Sequence, residues 1–185
     1  MQPHKAIVIS APSGAGKTTL IRALLAEHPH LEHVVTHTTR ALRQGEINGK
    51  DYHFIDAPRF EQYIKEDYFI EWARVHGEYY GTSKSAIQKI LDAGKHPILN
   101  IDWQGARRAR EIYDKNLISI FILPPSLQEL ECRLKKRGDS EANIQKRLAM
   151  AEAEISHAQD FDHIITNDQF DQTLLELKSL IPAHS

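Results

Sequence analysis

A chain of 185 residues, 41% hydrophobic and 26% charged, is long enough to bury one good core and has the make-up of an ordinary globular domain. Its net charge of −2 argues against nucleic acid as the main partner, since no basic excess faces a phosphate backbone, but it allows a local basic pocket for one small anion. The single cysteine, Cys132, excludes an internal disulfide and a cysteine-built zinc cluster; no apolar run approaches a membrane span and the first ten residues read as a strand rather than a leader, so a cytoplasmic protein is expected.

The first predicted element is a buried strand at 6–9, followed at once by Ser10-Ala11-Pro12-Ser13-Gly14-Ala15-Gly16-Lys17-Thr18-Thr19. A helix at 18–27 comes next, with Leu20, Ile21, Leu24 and Leu25 at helical spacing. Strand, glycine-rich turn and Lys-Thr at a helix start make a phosphate-binding loop. Gly14 and Gly16 permit backbone conformations that aim several N–H groups inward, and the helix N-terminus adds partial positive charge. Lys17 can reach β- and γ-phosphates, and the Thr18 hydroxyl suits Mg²⁺. Ala11 stands where the pattern G-x-x-x-x-G-K-[ST] has its first glycine, a small-residue variant. The expected ligand is a nucleoside triphosphate.

Residues 36–82 break the strand–helix alternation. They are rich in turn residues, aromatics and charges, with strand-like pieces at 51–55 and 68–75 and a short helix at 58–65, and read as a small α+β lobe inserted into the core. Arg40 and Arg43 stand three residues apart among hydroxyls. The fork of arginine suits phosphate, but taken alone this pair fits a solvated surface better. The alternation then resumes, with strands at 97–101, 117–123 and 163–166 and helices at 83–93, 105–113, 126–136, 141–158 and 169–180. Such a pattern implies a parallel sheet covered on both faces, with ligands at the carboxyl ends of its strands. The charged stretch 135–147, with Gly138 at its centre, reads as a mobile flap. Trp72 and Trp103 are expected in the core or a pocket wall, His37, His53 and His76 in surface or local hydrogen bonding, and the charges of helix 141–158 on a solvated face.

Taken in order, the phosphate loop, His37-Thr38-Thr39-Arg40, Gly49-Lys50-Asp51-Tyr52, Phe69-Ile70-Glu71-Trp72, Tyr80-Gly81-Thr82, Ile101-Asp102-Trp103-Gln104-Gly105 and Ile165-Thr166-Asn167 closely resemble guanylate kinases of the bacterial type. The resemblance covers nearly the whole chain. It implies an α/β P-loop fold of three layers, with a core at 1–35, 83–134 and 148–185, a GMP-binding lobe at 36–82 and a short lid at 135–147. It further implies ATP + GMP ⇌ ADP + GDP with Mg²⁺, and dGMP as a second acceptor.

Residue by residue, the resemblance gives Ala11, Pro12, Ser13, Gly14, Ala15, Gly16, Lys17, Thr18 and Thr19 to ATP, with Asn167 at its adenine end. Arg40, Arg43, Tyr52 and Tyr80 match ligands of the GMP phosphate; Thr36, Glu71, Thr82 and Asp102 match the guanine readers, with Gly81 beside them. Arg133, Arg137 and Arg147 match arginines that close over the transferring phosphates; Lys17, Arg40, Arg137 and Arg147 form the catalytic set, and Thr18 and Asp102 are the metal candidates. A carboxylate such as Glu71 can accept from guanine N1–H and N2–H₂ together, while hydroxyls such as Thr36 and Thr82 can donate to O6. Adenine would present a lone pair at N1 instead.

Three departures stand out. Thr36 and Thr82 occupy positions where serine is frequent, Asn100 one where a second aspartate is usual, and the lid is one residue shorter. The rival readings are a ribose-bisphosphate kinase, which would not need Glu71 with Thr36 and Thr82, and a non-catalytic guanylate-kinase-like module, which commonly lacks a competent phosphate loop. No membrane partner is expected, and association into a homo-oligomer is compatible with the sequence.

Overall fold

A computed structural model describes residues 4–75 and 77–182; His76 lies outside them. The chain opens with β1 (Ala6–Ser10), α1 (Lys17–Glu27) and β2 (Leu31–His33). The lobe follows as β3 (His37–Thr38), β4 (His53–Phe54), α2 (Ala57–Lys65), β5 (Phe69–Val75) and β6 (Glu78–Ser83). The remainder runs α3 (Lys84–Asp92), β7 (His96–Asn100), α4 (Trp103–Tyr113), β8 (Leu117–Leu123), α5 (Leu127–Lys136), α6 (Glu141–Ile155), β9 (His163–Thr166) and α7 (Phe170–Leu180).

Five parallel strands in the order β2-β7-β1-β8-β9 make the main sheet. Because side chains alternate across a strand, β1 feeds two cores. Ala6 and Val8 join Ile87, Leu99, Ala106 and Phe121 on one face, whereas Ile7 and Ile9 join Leu20, Leu24, Ile98, Ile120 and Leu177 on the other. Each fully buried aliphatic side chain here contributes about 1.5–3 kcal/mol, and truncating Leu24 to alanine would cost about 2–5 kcal/mol. The three layers place the phosphate loop after β1, Asp102 after β7 and Asn167 after β9, all at the carboxyl edge of the sheet.

The lobe carries its own sheet, β4-β3-β6-β5. Its register slips between Phe69, opposite Ser83, and Glu71, opposite Thr82. This bulge sends Ile70 into the main core and leaves Glu71 facing the cleft. Phe60 stacks between Phe69 and Tyr79, with ring centroids 4.5 and 5.0 Å away.

Several features differ from the sequence reading. The flap is largely helical: only residues 137–140 separate α5 from α6, and Ile144 is buried with Leu130, Leu134 and Ala151. Four apolar residues at helical spacing outweigh the charge of the stretch. The tryptophans keep to the expected pocket walls: Trp72, 39% exposed, lines a surface pocket, and Trp103 lines another while stacking on His157 with centroids 3.6 Å apart. His37 is buried, its Nδ1 without a hydrogen-bond partner among the described residues, and burial pushes its pKa down to about 4. No helix among the described residues is long and apolar enough to cross a membrane.

Candidate active site

The turn after β1 is held by two left-handed glycines, Gly14 at φ +94° and Gly16 at φ +95°. Neither position has room for a side chain: a Cβ on Gly14 would lie 2.9 Å from Leu130 Cδ1, and one on Gly16 would lie 2.4 Å from Asn167 Nδ2. The loop therefore needs glycine for conformation and for close packing alike. Asn167 is 6% exposed and donates from Nδ2 to the Ala15 carbonyl oxygen at 2.7 Å. It braces the loop from behind, where the adenine end of ATP had been expected to meet it. Ala15 is likewise buried behind the loop, whereas the other eight loop residues face the cleft.

That cleft, of about 780 Å³, also takes in Arg133, Arg137 and Arg147. Arg147 donates to Ser13 Oγ at 2.6 Å, and Asp139 faces both Arg137 (3.1 Å) and Arg147 (3.9 Å). Arg133 donates to Glu129 at 3.0 Å and to the Asn167 carbonyl oxygen at 3.1 Å, so it ties α5 to the loop brace. Burial pushes the Lys17 ammonium down to about 8, against the opposing pull of the Glu154 and Asp102 carboxylates. Glu154 itself is raised by burial and drawn back by Lys17.

Glu154 was missed in the sequence, where its helix was read as a solvated face. The available signal was spacing. Arg147 and Glu154 are seven residues apart on α6, so the two share a face.

A second cleft of about 220 Å³ opens beside the first and is lined by Thr36, Tyr52, Glu71, Tyr80, Asn100 and Asp102, together with His33 and Asp51. Thr82 Oγ1 donates to Glu71 Oε1 at 2.6 Å. The hydroxyl expected to serve guanine O6 thus orients the carboxylate instead, and Thr82 is 1% exposed, behind the cleft wall. Gly81 lies behind that wall too, where a Cβ would meet Phe60 and Phe69 at 2.9 Å. Burial pushes the Glu71 carboxyl up to about 7; the Thr82 hydrogen bond opposes this and Asp102 adds to it. Asp102 caps α4, with Oδ1 accepting from Gly105 N at 2.9 Å.

The residues expected to hold the GMP phosphate are only partly brought together. Tyr52 and Tyr80 line both clefts. Arg40 lies 5.3 Å from the Tyr52 ring centroid but pairs with Glu46 at 2.6 Å, while Arg43 is exposed and lines neither cleft.

Among the described residues, no group of three or more His, Cys, Asp or Glu side chains forms a metal cage. The cleft does present hard oxygen donors in Thr18, Asp102 and Glu154 with the Asn100 amide. Such a set fits Mg²⁺, which takes few protein ligands and fills its shell with water and phosphate.

A parallel sheet in this order, a phosphate loop after its central strand, arginines from α5, α6 and the turn between them facing that loop, and an inserted lobe with its own cleft define a P-loop kinase of small phosphorylated acceptors. The guanylate kinase family model matches residues 3–184. The guanylate kinase of Chromohalobacter salexigens is 52% identical over 177 residues, covering 95% of this chain and 82% of that one. A guanylate kinase of Francisella tularensis is 48% identical over 171 residues, covering 90% of each. The crystal structure of guanylate kinase from Anaplasma phagocytophilum superposes with a TM-score of 0.78 at 33% identity, over 97% of this chain and 85% of that one. The SH3-kinase fragment of tight junction protein 3, at 14% identity and a TM-score of 0.51, shares the fold alone. The chain belongs to the guanylate kinase family, and its activity is phosphoryl transfer from ATP to GMP.

Proposed function

We propose that ATP binds along the phosphate loop and GMP along the lobe cleft, so that the two phosphate chains meet between Tyr80 and the lid arginines. The observation that carries this reading is the continuity of the clefts, which share Tyr52, Tyr80, Asn100 and Asp102. Lys17 and the loop N–H groups take the β- and γ-phosphate oxygens of ATP. Arg40, Arg43, Tyr52 and Tyr80 hold the GMP phosphate, for which the Arg40–Glu46 pair must open. Glu71, set by Thr82, accepts from guanine N1–H and N2–H₂, with Thr36 and Asp102 at the same edge.

In the transfer, an oxygen of the GMP phosphate bonds to the γ-phosphorus while the bond from that phosphorus to the β–γ bridging oxygen breaks. ADP leaves with the electron pair. The attacking oxygen is already negatively charged, so no general base is required. The obstacle is the approach of two polyanions, which Lys17, Arg133, Arg137 and Arg147 offset by charge and orientation. Thr18 and Asp102 would hold Mg²⁺, which when bound supplies neutralisation of the phosphate oxygens. Closure of lobe and lid would exclude water and so suppress hydrolysis of ATP.

The same reading places the enzyme in the cytoplasm, recycling GMP for guanine nucleotide synthesis. Its test is ADP release from ATP and Mg²⁺ with GMP, dGMP, AMP, UMP and CMP in turn. Turnover is expected with GMP and dGMP; AMP turned over as well as GMP would overturn the assignment of the base cleft.

A further inference from the structure

Helix α4 starts very close to strand β5. Its third residue, Gly105, is buried, and a Cβ there would lie 2.9 Å from Glu71 Cγ and 3.1 Å from Ile101 Cβ and Cδ1. The backbone of Gly105 is not left-handed, so conformation does not call for glycine. The helix itself would favour alanine there, by about 1 kcal/mol. What glycine supplies is proximity. From the same residue, the amide N–H donates to Asp102 Oδ1 at 2.9 Å. Gly105 thus touches both carboxylates of the base cleft, one through its missing side chain and the other through its backbone.

We propose that Gly105 is a specificity-determining positioning residue, whose lack of a side chain lets the first turn of α4 close on Glu71 so that the Glu71 and Asp102 carboxylates converge on one purine edge. The inference rests on the reading that Glu71 accepts the guanine donors. Glu71 is also held by Thr82, whose Oγ1 donates to it at 2.6 Å, so a shift away from an added methyl group works against that hydrogen bond. Either its Cγ shifts and the hydrogen bond to Thr82 lengthens, or the start of α4 moves and takes Asp102 with it. Both outcomes spoil two-point recognition of N1–H and N2–H₂. An acceptor lacking the 2-amino group, IMP, has less to lose. Metal-free ATP, held by Lys17 and the phosphate loop with no Mg²⁺ to engage Asp102, is affected far less.

The test is calorimetry of GMP, IMP and metal-free ATP on the full chain as wild type, Gly105→Ala, Glu71→Ala and the double variant. Gly105→Ala is expected to weaken GMP by about tenfold or more, to narrow the preference for GMP over IMP, and to leave ATP affinity within about twofold. In the Glu71→Ala background the same substitution should change GMP affinity by less than about twofold, because the group it displaces is gone. Additive losses in the double variant, or no loss in Gly105→Ala, would overturn the proposal while leaving the role of Glu71 intact. If Glu71→Ala itself binds GMP as tightly as wild type, the base reading fails, and this proposal with it. Ile101→Val, made in the Gly105→Ala background, removes Cδ1, one of the two Ile101 atoms at 3.1 Å, and so tests the second contact separately. Recovery of GMP affinity by Ile101→Val would assign the clash to Ile101 and sink the proposal.

Discussion

The side-chain amide of Asn167 donates to the Ala15 carbonyl oxygen over 2.7 Å, joining the end of β9 to the back of the phosphate loop. In a trans peptide the carbonyl and the following N–H point opposite ways. Holding the Ala15 oxygen rearward therefore turns the Gly16 N–H toward the cleft. Asn167→Ala leaves that buried oxygen without its partner, at a cost of about 1–3 kcal/mol. The expected result is a roughly ten- to hundredfold loss of affinity for ATP and for inorganic triphosphate alike, with GMP affinity unchanged. Loss confined to ATP would mean that Asn167 serves adenine rather than the loop.

Lys17 titrates near 8, held up against burial by Glu154 and Asp102. Its charged form prevails below that value and is lost as pH rises through it. The kcat/KM for ATP, which reports the free enzyme, should fall above about pH 8. Glu154→Gln removes a negative charge that favours the ammonium, so its decline should begin at lower pH. Superimposable profiles for the two proteins would show that Glu154 does not govern Lys17.

Glu71 carries the opposite sign. Its carboxyl is raised to about 7, chiefly by burial, so it is protonated below that pH and an anionic acceptor above it. Guanine donors favour the anion. GMP affinity should therefore rise with pH between 6 and 8, with proton release on binding below 7. The phosphate of GMP, with a second pKa near 6, titrates in every variant. Calorimetry in buffers of different ionisation enthalpy, on wild type and Glu71→Gln, isolates the Glu71 part; equal proton release in both would assign all of it to the phosphate.

The proposed lid arginines rest on protein groups: Arg147 on Ser13 Oγ, and Arg137 with Arg147 around Asp139. Arginines that meet developing charge act in the transition state more than in the ground state. Arg137→Ala and Arg147→Ala should lower kcat by up to about a thousandfold while changing the KM for GMP far less. Steady-state kinetics with an unaltered kcat in both variants would return these residues to the surface.

The phosphate loop was legible because its meaning is local: a buried run, two glycines and Lys17-Thr18 lie within fourteen residues, from Ala6 to Thr19. The parallel sheet was legible because β1 and β8 are buried on both faces and lack polar alternation. Strands β2 and β3 were not, being three and two residues long, and β6 was hidden because Glu78-Tyr79-Tyr80-Gly81 reads as a turn. The hydrogen bonds of Thr82 and Asn167 depend on partners 11 and 152 residues away, which no local pattern encodes. Glu154 was within reach, through its spacing from Arg147, once α6 was known to face the cleft.

The most direct test of the site is the ratio of kcat/KM for GMP to that for AMP in Glu71→Gln. The substitution preserves shape and replaces a double acceptor with one acceptor and one donor, so a guanine donor then faces an amide donor. Activity on GMP should fall roughly ten- to hundredfold, and activity on AMP should fall much less or rise, because the amide can donate to adenine N1. A ratio equal to that of the wild type would contradict the assignment: Glu71 would not read the base.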